Sequence, residues 1–354
     1  MSPTSSALLA EFSRAKQLIH GLSTNLSLML MTKEKVASFE AAASGNPLIT
    51  SLCNELHTRF SKIMRPEDYE AMSQAYETYA ELLASTTLIS RGVTLDRTPQ
   101  TGTHGEKRPD FVHHHQRGPI YFEVKALEIA DKYERYREMA QRGLEAAADL
   151  SHRAKQKGVH FSEQSVSGHR ETAPMDERID QVIKRLRNVI KPGQITYGPT
   201  VLVVDMGRLP GETHEPSGLL PVFFNDGPPA ESCVSGEFWQ VALGCIGERI
   251  FTLPEGHGKS NLGGHQAERG VLFDYPVLLA IMFQVCRWND PSRLFTIWCP
   301  GWDRSRLETE CLIDDHEIEE LLYASSDAMN DSSNALGWKY RTSPPRVSKS
   351  SPTS

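Results

Sequence analysis

The sequence predicts an α/β protein in which a mixed β-sheet is flanked by helices on both faces and preceded by a helical extension. Segments with apolar residues at helical spacing alternate with short runs that favour strands. The run Thr200–Asp205 (TVLVVD) is apolar almost throughout, which is typical of a strand buried on both faces. With 354 residues and 39% hydrophobic content, the chain can bury a sizeable core.

The first part of the chain is predicted to be helical. Ala7–Leu22 and Lys33–Ala43 are good helix formers, and Pro47 opens another segment that runs to Met64. We therefore interpret residues 1–65 as a helical N-terminal extension, 66–325 as the main domain and 326–354 as a C-terminal tail. The tail is Ser/Pro-rich and is expected to be disordered from about residue 341.

Helices and strands are predicted to alternate through the main domain. Pro66 opens a helix with aromatic and apolar residues at helical spacing, and Gly92 ends it. The other predicted strands are Val93–Arg97, Asp110–His115, Ile120–Lys125, Thr200–Asp205, Arg249–Leu253 and Leu294–Cys299. The other predicted helices are Ala126–Ala154, Met175–Lys191, Phe238–Cys245, Val277–Trp288 and Asp314–Ala324.

Composition and charge argue against several functional classes. The chain has 38 Lys+Arg and 45 Asp+Glu, and a net charge of −7 argues against non-specific coating of nucleic acid while allowing a local basic face. None of the six cysteines forms a C-x-x-C pair, so spacing does not support a zinc site. The chain shows neither a signal peptide nor an apolar run of the ~20 residues needed to span a bilayer. We therefore expect a cytoplasmic protein that is not bound to a membrane.

The hairpin Asp110–Lys125 gathers polar residues on one face. If Arg117 and Gly118 form the loop, His115 faces Ile120, Val112 faces Glu123 and Asp110 faces Lys125. Asp110, Glu123 and Lys125 then share a face, because side chains alternate along a strand. The opposite face receives the apolar residues Phe111, Ile120, Phe122 and Val124.

Two carboxylates beside an ammonium group suit metal-assisted chemistry. Oxygen ligands at this spacing fit a hard divalent cation such as Mg²⁺ or Mn²⁺. Such a cation polarises a phosphodiester and lowers the pKa of a bound water, and Lys125 could stabilise the charge that develops. A surface ion pair between Lys125 and a neighbouring carboxylate is the alternative interpretation.

Pro109-Asp110, a short hairpin and then Glu123-Val124-Lys125 resemble the motif of the PD-(D/E)XK nuclease superfamily. Members often carry a glutamate on the first core helix, about three turns before the glycine that closes it. Glu81 lies at that spacing before Gly92. The resemblance covers the chain from roughly Glu67 to Asp205 and implies a restriction-endonuclease-like fold.

The resemblance implies a role for each residue of the motif. Asp110 and Glu123 would bind Mg²⁺ or Mn²⁺ with help from the Val124 backbone carbonyl, and Lys125 would assist the attacking water. Glu81 would be an accessory catalytic ligand, with Glu77 as the alternative.

The implied function is metal-dependent hydrolysis of DNA phosphodiester bonds by an endonuclease, in a restriction, defence or mobile-element setting. A Gln-x-x-x-Tyr element after Lys125, which some exonuclease-type members have, is absent from the sequence. The rival hypothesis is a catalytically inactive member that binds nucleic acid or serves as a scaffold. A hydrolase with another kind of substrate has no Ser-His-Asp or Cys-His signature to support it.

Four further residues are candidates for DNA contact. Lys184, Arg187 and Lys191 lie on one side of the helix Met175–Lys191, where they would meet phosphates. A solvated basic face is the alternative interpretation. His114 shares the carboxylate face of the hairpin, opposite Tyr121, and would lie near the substrate. Whether the protein works as a homodimer or with a partner subunit stays open.

Overall fold

The computed structural model describes residues 6–18, 26–99, 108–127, 175–208, 222–224, 233–252, 261–286, 290–298, 313–331 and 339–340. The chain divides into two compact units. The first unit comprises residues 1–79 and 128–173, and the second comprises residues 80–127 and 174–354. Within the described ranges, we find no helix with the length and apolar character required to cross a membrane. The predicted helix beyond Leu127 and the tail beyond Tyr340 lie outside the described residues.

Helices form the described part of the first unit. They are α1 (Ser6–Leu18), α2 (Leu26–Leu30), α3 (Lys33–Ala43), α4 (Pro47–Ser61) and the beginning of α5 (Tyr69–Ser90). Thr32 and Asn46 cap α3 and α4 through side-chain oxygens that accept backbone N–H groups. The core includes Phe12 against Phe60, with ring centroids 5.3 Å apart.

The second unit is built on an eight-stranded mixed sheet in the order β1-β2-β3-β4-β9-β10-β11-β12. The strands are β1 (Asp96–Arg97), β2 (Phe111–His115), β3 (Gly118–Ala126), β4 (Thr200–Asp205), β9 (Leu278–Val285), β10 (Arg293–Trp298), β11 (Ala328–Asp331) and β12 (Lys339–Tyr340). Strand β4 is parallel to both β3 and β9, so three parallel strands form the middle of the sheet. The predicted α/β class with a mixed sheet is confirmed.

Two short hairpins and several helices complete the described part of this unit. The hairpins pair β5 (Val222–Phe224) with β6 (Cys233–Ser235) and β7 (Arg249–Thr252) with β8 (Asn261–His265). The helices are α6 (Met175–Val189), α7 (Pro192–Ile195), α8 (Glu237–Leu243), α9 (Val271–Asp274) and α10 (Asp315–Ser325), with the end of α5. Phe238 of α8 stacks on Phe283 of β9 with centroids 4.5 Å apart, which fixes α8 on one sheet face.

Several predicted elements agree closely with the structure. The predicted apolar stripe is buried throughout: Ile179, Val182, Ile183 and Leu186 lie in α6, and Ile190 follows its last residue. Strand β4 has the predicted bounds and every residue in it is buried. Helix α10 begins with a capping box between Asp314 and Glu317, which satisfies two backbone N–H groups that the helix itself leaves unpaired.

The predicted helix Val277–Trp288 is wrong, because most of this segment is strand β9. Seven of its eight residues are buried, since β9 lies between β4 and β10 with apolar side chains on both faces. A short, continuous apolar run carries no periodicity that separates a buried strand from a buried helix.

The limits of the sheet and of the units also differ from the expected ones. Strands β11 and β12 carry the sheet beyond residue 325, where the sequence predicted the tail to begin. The division between the units falls inside α5, between Tyr79 and Ala80, whereas the predicted boundary followed residue 65. The predicted strand Val93–Arg97 is reduced to Asp96–Arg97.

Candidate active site

The hairpin of β2 and β3 carries the candidate site, in a register two residues away from the predicted one. Val112 pairs with Tyr121 and His115 pairs with Gly118, so Gln116 and Arg117 form the loop. Gly118 has φ 147°, a conformation that glycine adopts without strain. The predicted pairs His115 with Ile120 and Val112 with Glu123 are therefore wrong. An even shift preserves the face of every side chain, so the predicted segregation of the two faces is unaffected.

The two faces of the hairpin differ sharply. Phe111, Ile120, Phe122 and Val124 are all buried and supply the apolar face. Glu123 and Lys125 alternate with them along β3 and therefore point to the other face. Lys125 pairs with Val204 and Val204 with Phe283, so the face that carries the charges is also the face covered by α8.

Asp110, Glu123 and Lys125 form one group, which we call the carboxylate cluster. The backbone N–H of Val124 donates a hydrogen bond of 2.8 Å to Asp110 Oδ2, which holds this carboxylate at the start of β2. Lys125 Nζ donates to Glu123 Oε1. The Glu123 side chain is 1% exposed, and its Oε2 atom has no hydrogen-bond partner among the described residues.

The electrostatics of the cluster favour uptake of positive charge. Burial, together with the neighbouring charge of Asp110, raises the pKa of the Glu123 carboxyl to about 8, although Lys125 acts in the opposite direction. Burial also raises the pKa of Asp110, against the effects of Lys125 and of the Val124 N–H group. Lys125 therefore offsets only part of the cost of keeping two carboxylates ionised at this position.

Glu81 forms an ion pair with Arg97, whose charge also acts to lower the pKa of Asp110. The Glu81 carboxylate lies 3.5 Å from the Arg97 guanidinium, and that guanidinium lies over the Phe111 ring at 5.9 Å. Over the described residues, no group of three His, Cys, Asp or Glu side chains is placed to hold a metal ion. Glu77, the alternative to Glu81, belongs to the other unit.

The donor set of the cluster fits a divalent cation that prefers oxygen. Asp110 and Glu123 supply carboxylate oxygens, and Glu123 Oε2 is buried without a hydrogen bond from any described residue. A buried acceptor in this state costs free energy unless a cation or donor reaches it. Asp110 and Glu123 would therefore hold the ion, and the Val124 carbonyl remains the expected third ligand.

Two of the predicted DNA-binding residues lie in a separate group, which we call the ion-pair cluster. It consists of Lys184, Arg187, Glu268, Arg269 and Asp274. Arg187 binds Glu268, lies 2.6 Å from Asp274 Oδ2 and donates to the Arg269 carbonyl. Lys184 Nζ lies 3.3 Å from Glu268. These contacts support a packing role for Arg187 and Lys184.

The other two candidate contacts are at the surface. Lys191 is exposed and precedes α7. His114 is exposed and pairs with Pro119 instead of with Tyr121 as predicted. The His114 ring lies 3.5 Å from the Asp96 carboxylate.

A third group adjoins the carboxylate cluster and was not predicted from the sequence. Arg108 lies over the Tyr197 ring, 4.9 Å from its centroid, and Tyr197 meets Tyr121 edge to face at 5.0 Å. We call these three residues the aromatic–arginine cluster. Strand alternation places Tyr121 on the face of Glu123, but no local pattern predicts that Tyr197 lies beside it.

The chain was compared with known protein families, curated proteins and solved structures. The chain matches no protein-family model, and no match was found among curated proteins or solved structures.

Proposed function

We propose that the protein is a metal-dependent nuclease of the PD-(D/E)XK type that hydrolyses DNA phosphodiester bonds. The buried carboxylate cluster supports this proposal, because two adjacent carboxyl groups with raised pKa values share one ammonium. Structural ion pairs usually balance their charges, whereas an excess of buried acceptor oxygens is typical of a site that takes up a cation.

Each residue of the cluster has a defined task in this proposal. Asp110 and Glu123 would hold Mg²⁺ or Mn²⁺ through their carboxylate oxygens, and the Val124 N–H keeps Asp110 in place. When bound, the cation supplies polarisation of the phosphodiester and a lower pKa for a water molecule. Lys125, which donates to Glu123 Oε1, would stabilise the negative charge that develops at the phosphate.

The rival proposal is a protein of the same fold that binds nucleic acid or a partner without cleaving it. The ion pair of Glu81 with Arg97 favours this rival, because it gives the accessory carboxylate a basic partner instead of a metal ion. The retention of Asp110, Glu123 and Lys125 together favours the nuclease, since a scaffold does not need all three.

The decisive experiment is a cleavage assay with purified full-length chain. Supercoiled plasmid and linear DNA are incubated with Mg²⁺, with Mn²⁺ or with EDTA. We expect metal-dependent cleavage by the wild type and a loss of at least about 100-fold in Lys125→Ala and Asp110→Asn. The control is Arg117→Gln, which removes a positive charge from the exposed tip of the same hairpin.

The two proposals predict different outcomes. Cleavage that disappears with EDTA and with Lys125→Ala supports the nuclease. Absence of cleavage by the wild type under all metal conditions, with DNA binding retained, supports the scaffold. Full cleavage by a folded Lys125→Ala variant would show that the site is placed on the wrong residues.

A further inference from the structure

The aromatic–arginine cluster is assembled from three separate segments. Arg108 directly precedes Pro109-Asp110, Tyr121 lies on β3, and Tyr197 lies between α7 and β4. Tyr121 is also joined to the third segment through its backbone, because its N–H donates to the Pro199 carbonyl at 2.8 Å. The cluster is therefore a product of tertiary packing, held by both main-chain and side-chain contacts.

The cluster lies directly beside the carboxylate cluster. Tyr121 precedes Glu123 by two positions on the same strand face, which corresponds to a separation of about 7 Å along the strand. Arg108 likewise precedes Asp110 by two residues along the chain. A chain bound across the carboxylates would meet these side chains within one or two nucleotides.

Gly198 holds one ring of the cluster in place. A Cβ atom at this position would lie 2.4 Å from the Tyr121 ring, so only glycine allows the backbone to approach so closely. Tyr121 is thereby fixed between Gly198 and the edge-to-face contact with Tyr197. Tyr197 and Arg108 are both half-buried.

The chemistry of these side chains suits a nucleotide. A guanidinium group binds phosphate through paired donors, and it stacks on aromatic rings and bases. Tyrosine rings stack on nucleobases of any sequence. Arg108 Nη1 donates to the Pro99 carbonyl at 2.7 Å, and this bond orients the guanidinium.

We propose that Arg108 and Tyr197, supported by Tyr121, bind an unpaired nucleotide of the DNA substrate beside the carboxylate cluster. Arg108 contacts its phosphate and Tyr197 stacks on its base. A base in a continuous duplex is covered on both faces by its neighbours, so a stacking residue selects a single-stranded segment, a flap or an extruded base. This inference rests on the proposed nuclease function and narrows its substrate to DNA with a single-stranded segment.

The test measures binding apart from cleavage. A fluorescent single-stranded oligonucleotide and a blunt duplex of the same sequence are titrated with full-length Lys125→Ala protein, and fluorescence anisotropy is followed. Tyr197→Leu and Tyr197→Phe are each added to this background. We expect Tyr197→Leu to weaken single-strand binding about tenfold, Tyr197→Phe to retain it within about twofold, and duplex binding to change little.

The charge of Arg108 is tested in the same assay. We expect Arg108→Gln to weaken binding and to reduce its dependence on salt by about one phosphate contact. Arg117→Gln is the matched control for loss of a positive charge, and Tyr323→Leu is the control for loss of a half-buried tyrosine. Both controls should bind like the parent, and thermal unfolding checks that every variant is folded.

The outcomes separate the inference from the proposed function. If the parent binds no single strand, or if folded Tyr197→Leu and Arg108→Gln bind it as the parent does, the inference is wrong even where the wild type cleaves DNA. If single-strand binding depends on Tyr197 and Arg108 but the wild type cleaves nothing with any metal, the inference stands and the nuclease proposal fails.

Discussion

The carboxylate cluster and the ion-pair cluster contain similar side chains, but the pKa values of Glu123 and Glu268 in them are shifted in opposite directions. The carboxylate cluster places two acidic side chains against Lys125, whereas the ion-pair cluster places Glu268 and Asp274 against three basic side chains. The Glu123 side chain is 1% exposed and Glu268 is 25% exposed. The pKa of Glu123 is raised by burial, whereas hydrogen bonding to Arg187 lowers the pKa of Glu268.

This difference separates a site from a structural contact. In the ion-pair cluster each carboxylate has a basic partner, so the charges stabilise the packing of α6 on the segment 268–274. In the carboxylate cluster two carboxyl groups with raised pKa values lie beside Lys125, and the Glu123 side chain is 1% exposed. Folding alone gains nothing from such an arrangement, which is why we assign binding chemistry to it.

The largest effect on stability is expected from the ion-pair cluster. Arg187→Gln leaves Glu268 and Asp274 facing each other without their shared partner, and it should lower the free energy of unfolding by about 2 kcal/mol. Urea denaturation measures this loss. The control is Arg117→Gln, whose pairs with Asp314 and Glu317 are more exposed and should contribute little to stability. Equal losses in the two variants would contradict the distinction between the clusters.

The pH dependence of stability should distinguish the two clusters next. Because folding raises the pKa of Glu123 to about 8, the folded protein binds more protons than the unfolded chain between the two pKa values. Stability contributed by this group is therefore lost as pH rises from about 5 to 8, by at most about 1.4 kcal/mol per pH unit. Glu123→Gln should remove this slope, and saturating Mg²⁺ should reduce it in the wild type.

The matched control for this measurement is Glu268→Gln. The pKa of Glu268 is lowered on folding, so its contribution is present above the unfolded pKa and is lost only as pH falls below it. The variant should therefore be less stable at every pH from 5 to 8 with the wild-type slope. Parallel curves for the wild type and Glu123→Gln would show that Glu123 does not titrate in this range.

The smallest effect is expected at Glu81, the predicted accessory ligand. Because its carboxylate pairs with Arg97, Glu81→Gln should reduce metal-dependent cleavage by less than about tenfold, well below the loss in Asp110→Asn. The cleavage rate at several Mg²⁺ concentrations is the measurement. A loss as large as that of Asp110→Asn would place Glu81 among the metal ligands and would require it to leave Arg97 during catalysis.

Local periodicity predicted the shared face of Glu123 and Lys125 better than it predicted the surrounding sheet. The register of the hairpin was displaced by two residues, yet Glu123 and Lys125 share a face because alternation along a strand does not depend on the partner strand. The stripe of α6 was predicted for the same reason. Strand β9 was misassigned, because burial on both faces removes the alternation that identifies a strand.

Contacts between distant segments could not be predicted in this way. The basic residues of α6 are spaced for phosphate contact, but the pairing of Arg187 with Glu268 and Asp274 depends on where residues 268–274 pack. The helical spacing of Glu81 from Gly92 matched the superfamily pattern, but it carried no information on Arg97 as a competing partner.

The sequence by itself determined which residues share a face, because 2.0- and 3.6-residue periods belong to the backbone of each element. Asp110, Glu123 and Lys125 were identified in this way. Tertiary structure alone decided the surroundings of that face. It set the burial that raises the pKa of Glu123, the ion-pair partner of Glu81, and the packing of the Tyr121 ring against Tyr197 and Gly198. Desolvation and charge pairing depend on every segment that packs nearby, and no local pattern records them.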